Sequence, residues 1–81
     1  MDMKDFLKKA VAGTGSFDPK GSSDADLLEF QSVVELAFRA KSAGYIKDFK
    51  VHQDSDHGND FYDALFVFGV TEEGLRYVGG P

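Results

Sequence analysis

Residues 45–70, YIKDFKVHQDSDHGNDFYDALFVFGV, hold two apolar-rich segments separated by eight residues drawn only from Gln, Asp, Ser, His, Gly and Asn. In the first segment Tyr45, Phe49 and Val51 alternate with polar neighbours, the period-two pattern of a half-buried strand over 45–52. The second, 61–70, is rich in the β-branched and aromatic residues that strands favour. The residues between them tolerate tight and left-handed turns. The reading is an antiparallel hairpin with its loop at 53–60. Pairing Val51 with Tyr62 sets Phe49 opposite Ala64 and Tyr45 opposite Phe68, with Lys50 opposite Asp63 as a cross-strand ion pair. Tyr45, Phe49, Val51, Tyr62, Phe66 and Phe68 then share the face that packs on a helix. The other face carries Ile46, Phe61, Leu65 and Val67, where a hairpin with one side in water would place polar residues.

The acidic loop invites comparison with a calcium site. Asp54, Asp56 and Asp60 fall at positions 1, 3 and 7 of a twelve-residue oxygen-ligand loop. The pattern then fails: position 5 is Gly58, position 6 is Asn59 where the turn needs Gly, and position 12 is Leu65. His52 and His57 have no local partner set for zinc. The loop is read as a solvated turn, with no metal and no cofactor.

Outward from the hairpin, residues 24–43 (DADLLEFQSVVELAFRAKSA) form a long helix. Ser23 or Asp24 caps it, acids occupy its first turn and Gly44 ends it. Its apolar residues cover more than half the circumference, so it is central. A polar stripe of Gln31, Ser32, Glu35, Arg39 and Ser42 remains, with Glu35 and Arg39 spaced as an i,i+4 ion pair. Residues 3–12 form a short amphipathic helix through Met3, Phe6, Leu7, Ala10 and Val11. Residues 13–23 are a Gly/Ser/Pro-rich flexible loop anchored by Phe17. Its Gly13-x-Gly15 lacks the other residues of a phosphate-binding turn. Thr71 caps a last short helix in TEEGLRYV, and 79–81 is a tail.

With 81 residues the chain is read as one domain, 1–81, whose 42% apolar content and eight Phe supply a core. Cys is absent, which suits a reducing compartment, and a cytoplasmic location is expected. No apolar run approaches a membrane span. No nucleophile–base signature surrounds any Ser or His. The formal charge of −5 disfavours a general nucleic-acid binder.

The second half of the chain, about half its length, resembles winged-helix domains. The residues that carry the resemblance are Gly44, Tyr45 and Ile46 after the long helix, then a hairpin with a polar tip, then Val70, Thr71, Gly74 and Leu75. The resemblance implies a winged-helix-like α+β fold: two N-terminal helices, short then long, an antiparallel hairpin and a short C-terminal helix. It also implies a recognition helix whose reading face is Gln31, Ser32, Glu35, Arg39 and Ser42, and a wing tip of Asp54, Asp56, His57 and Asp60. The sequence departs from the family in having one helix where the family has two before the hairpin, and in the acidity of the wing.

The expected function is a small non-enzymatic binding or regulatory module acting through protein contacts or self-association. Ile46, Phe61, Leu65 and Val67 are its contact face, unless the N-terminal helix covers that face through Phe6 and Leu7. The alternative is a DNA-binding regulator using Arg39, Lys41, Lys47 and Lys50. A third reading is an acidic mimic of nucleic acid.

Overall fold

The computed structural model describes residues 1–13, 15–21, 23–54 and 61–79. The expected elements are present: α1 (Met3–Ala12), α2 (Asp24–Ser42), β2 (Ile46–Asp54), β3 (Phe61–Val70) and α3 (Glu72–Gly79), together with a short strand β1 (Ser16–Phe17) that the sequence did not announce. The architecture is α+β, with three helices packed on one face of a three-stranded antiparallel sheet of order β1-β3-β2.

Local chemistry sets the helix ends. The Asp2 carboxylate accepts the Asp5 N–H at 2.8 Å and starts α1, and the Gly13 N–H closes its last turn on the Lys9 carbonyl. The Ser23 hydroxyl accepts the Asp26 N–H at 3.2 Å and caps α2. Thr71 does the same for α3 through the Gly74 N–H at 3.1 Å. Each cap satisfies a donor that the first helical turn leaves without an intrahelical partner.

Between α1 and α2, the chain presses Phe17 into the core, where its ring stacks on Phe6 at 5.0 Å. This fulfils the anchoring role expected of Phe17. It also brings Ser16 and Phe17 alongside Phe66 and Leu65, making β3 the central strand.

The hairpin forms, but in a different register. Val51 faces Leu65, Phe49 faces Val67 and Lys50 faces Phe66. The strands run on to an Asp54–Phe61 pair, and a bulge falls between His52 and Gln53. The ladder is therefore displaced by three residues along β3 over most of its length. An odd displacement exchanges the two faces of a strand. Leu65 and Val67 point into the core, while Phe66 and Phe68 point outward at 41% and 53% exposure. Lys50 lies beside Phe66, and Asp63 pairs with His52 instead.

The physical reason lies in what covers the inner face. Phe6 and Leu7 of α1, Phe17 of β1 and Phe30, Val34, Ala37 and Ala40 of α2 form one cluster with Ile46, Leu65 and Val67. Compact aliphatic side chains on β3 fit beneath these helices, and Phe17 pairs directly with Leu65. The N-terminal helix thus covers the face carrying Ile46, Leu65 and Val67, the second of the two arrangements the sequence allowed.

Ile46 joins this core although it shares strand parity with outward-facing Asp48 and Lys50. Gly69, at φ +84°, explains this. That conformation suits glycine and lets Phe68 and Gly69 both face solvent. Alternation is reset, and the Ile46–Val70 pair turns inward.

Candidate binding surface

The sequence carried its family resemblance on two separated stretches, and the structure joins them. The Thr71 hydroxyl donates to the Gly44 carbonyl, and the Thr71 N–H donates to the Tyr45 carbonyl at 2.9 Å. Gly74 is buried against the same backbone: a Cβ there would lie 2.2 Å from the Tyr45 oxygen and 2.7 Å from Val70 Cγ1. Tyr45 then stacks on Tyr77 at 4.9 Å. The end of α2, the start of β2 and α3 are locked together by these residues, which hold the hairpin at a defined angle to α2.

The side chains on that frame fall into three groups. The first is the stripe of α2. Gln31 does not face outward. Its amide donates to the Tyr62 carbonyl at 2.9 Å and to the Leu27 carbonyl at 2.7 Å, and accepts the Tyr62 N–H at 3.0 Å. It acts as a one-residue extension of β1, satisfying β3 where β1 has ended. Ser32, Glu35, Arg39 and Ser42 are exposed. Ser32 bonds to the Glu29 carbonyl of its own helix, and Arg39 pairs with Glu35 at 2.9 Å.

The second group is the set of bases. Arg39 and Lys41 are each neutralised within the chain, Lys41 by Asp48 at 2.9 Å. The hydrogen bond from Lys41, joined by one from the Phe49 N–H, holds the Asp48 carboxyl below its ordinary range. Lys41 also lies over the Phe49 ring, 5.9 Å from its centroid. Lys47 and Lys50 are exposed on β2 and form no ion pair among the described residues. The four bases do not form one patch: Arg39 belongs to α2, while Lys47 and Lys50 flank the sheet.

The third group is apolar. Of the expected contact face, Ile46, Leu65 and Val67 are buried in the chain's own core and cannot present a surface, while Phe61 is half-buried. The exposed face of the sheet carries Phe66 and Phe68 on the central strand, with Ser16 on one side and Lys50 and Asp48 on the other. The sequence reading missed these two because β3 is apolar on both faces from Leu65 to Phe68, leaving no polar phase to orient it.

A groove of about 1150 Å³ lies between α1, the segment around β1 and the first half of α2. Its walls mix Lys8, Lys9, Lys20 and the Met1 end with Asp5, Asp18, Asp26 and Glu29, and Lys20 pairs with Glu29 at 3.4 Å. Such balanced charge selects no class of charged ligand. Asp56, His57 and Asp60 of the acidic turn lie outside the described residues. Among those described, no three His, Cys, Asp or Glu come together as a metal site, and no helix is long and apolar enough to cross a membrane. Compared with family models, with curated proteins and with solved structures, the chain matches none.

Proposed function

We propose that this chain is a small non-enzymatic binding module that docks a protein partner on the open face of its sheet. The observation that carries the reading is the exposure of Phe66 and Phe68 on the central strand, where a one-sided sheet would carry polar residues. Single exposed apolar residues are ordinary, but two large aromatics adjacent on one strand face form a patch. Aromatic rings of this kind bury roughly 150–250 Å² each and dominate interface energetics. Beside this patch lie Lys50, opposite Phe66, and Asp48, opposite Phe68 and paired with Lys41 at 2.9 Å, so the two lysines outnumber the acid on this flank of an acidic protein. The partner it fits is an apolar segment bearing carboxylates, for which those lysines supply charge complementarity.

The scaffold in this proposal is winged-helix-like. The long helix before the hairpin and the seat made by Gly44, Tyr45, Thr71 and Gly74 support that reading. The DNA-reading role of such a scaffold is not favoured, because Gln31 is turned inward and Arg39 and Lys41 are paired within the chain.

A synthetic peptide of alternating Glu and Phe, with a Lys/Phe peptide as control, tests the proposal by amide shift mapping. Saturable shifts at Ser16, Lys50, Phe66 and Phe68 with the acidic peptide alone are expected. They should vanish in a Phe66→Ser/Phe68→Ser variant whose circular dichroism is unchanged. Equal response to both peptides, or shifts centred on α2, would overturn it.

A further inference from the structure

The two edges of the sheet are finished differently. On the β1 side, β3 is partnered at three positions among the described residues. The Val67 N–H donates to the Gly15 carbonyl at 2.7 Å, Leu65 pairs with Phe17, and Gln31 takes both polar groups of Tyr62. On the other side, β2 is a nine-residue edge strand. Long edge strands template pairing with another chain unless something protects them.

The direction of the β2 groups follows from the pairing. Because Val67 turns its N–H toward β1, the Phe49–Val67 pair is one of the non-hydrogen-bonded pairs of the ladder. The N–H and carbonyl of Phe49 therefore point to the free edge. By alternation so do those of Lys47 and Val51. The Phe49 N–H is occupied: it donates to the Asp48 carboxylate at 2.8 Å, and the same oxygen accepts from Lys41 at 2.9 Å. Asp48 thus bends around the edge, tied to α2 by Lys41, and covers the central amide of the open strand.

We infer that the β2 edge is a self-pairing site for the β2 strand of a second copy, and that the Lys41–Asp48 latch holds it shut. The occupant is specified by the strand itself. Antiparallel pairing of two β2 strands about a two-fold axis at Phe49 opposes Phe49 to its own copy and Lys47 to Val51 of the second copy. The edge-facing positions Lys47, Phe49 and Val51 then pair at once. The same register sets Asp48 opposite Lys50 of the second copy, and Lys50 opposite its Asp48, two opposite-charge pairs on one face. Phe38, 47% exposed and edge-on to Phe49 at 4.8 Å, lies beside the edge and adds an apolar rim. Asp48 has two alternatives, the latch within the chain or Lys50 across the axis, and loosening the first favours the second. This inference uses the strand edge and does not depend on the proposed use of the open sheet face.

The test is sedimentation of three folded proteins, wild type, Lys41→Ala and Lys41→Ala/Lys50→Asp, with amide exchange measured at low and high concentration. Lys41→Ala is expected to dimerise at least tenfold more tightly than wild type, with Phe49 and Val51 amides slowing as concentration rises. Adding Lys50→Asp, which opposes a carboxylate to Asp48 of the second copy, should cancel the gain. A Lys41→Ala protein no more dimeric than wild type would overturn the inference. So would dimerisation indifferent to Lys50→Asp, or concentration-dependent protection lying outside β2.

Discussion

Gln31 shows how one side chain can carry a structural duty that its chemistry hides. It lies on α2 between Leu27 and Val34, at i+4 from the first and i−3 from the second, both buried. That spacing places it on the core face. The signal was present in the sequence, but a glutamine among apolar residues reads as the edge of a polar stripe. What the spacing alone could not supply was its partner: a strand whose neighbour β1 ends after two residues, leaving the Tyr62 peptide groups to be met. Gln31→Ala leaves those groups to water or to nothing. A loss of about 1–3 kcal/mol is expected, by the usual cost of removing a partner from enclosed polar groups. Ser32→Ala, next along the helix and exposed, should change stability by no more than about 0.5 kcal/mol. Urea unfolding midpoints of the two variants decide the matter, and equal values would return Gln31 to the surface.

At the scale of elements, the helices and both hairpin strands were legible because each has a period and a boundary residue. Met3–Ala12 follows its apolar spacing from Met3 to a Gly stop, and Phe61–Val70 follows its composition. Two features were not legible, for different reasons. β1 has two residues, too short for any period, and exists because Phe17 is drawn to Phe6. The register failed because Leu65-Phe66-Val67-Phe68 offers two apolar faces of similar strength. Only packing against α1 and α2 chooses between them. α3 was read from Thr71 and its acids, and its seat explains the Gly at position 74. Gly74→Ala forces a methyl into the Tyr45 carbonyl, which is backbone and cannot swing aside. Destabilisation of about 1–3 kcal/mol or more is expected from overpacking of this kind. It should come with changed near-ultraviolet signal from the Tyr45–Tyr77 stack. An unchanged melting temperature would mean that α3 does not sit against this turn.

On the scale of the whole molecule, charge separates a partner of protein character from a duplex. Of the bases nearest the long helix and hairpin, Arg39 and Lys41 already hold Glu35 and Asp48. That leaves Lys47 and Lys50 available to phosphates, on a chain whose formal charge is −5. Each phosphate neutralised releases counterion, so the logarithm of affinity falls with the logarithm of salt at about −0.9 per contact. Two lysines therefore allow a slope near −2, shallow beside that of proteins making six to ten such contacts. The surrounding acids further weaken association at low ionic strength, where their repulsion acts unscreened over tens of ångströms. Duplex DNA of random sequence should consequently bind only at low salt, with that shallow slope, and equally in Arg39→Ala and wild type. Fluorescence anisotropy across about 20–150 mM salt measures all three quantities. A slope of about −4 or steeper, with affinity retained at 150 mM and lost in Arg39→Ala, would require α2 to abandon its Glu35–Arg39 pair for phosphate. The chain would then have to be read as a DNA-binding winged helix rather than as a protein-docking module.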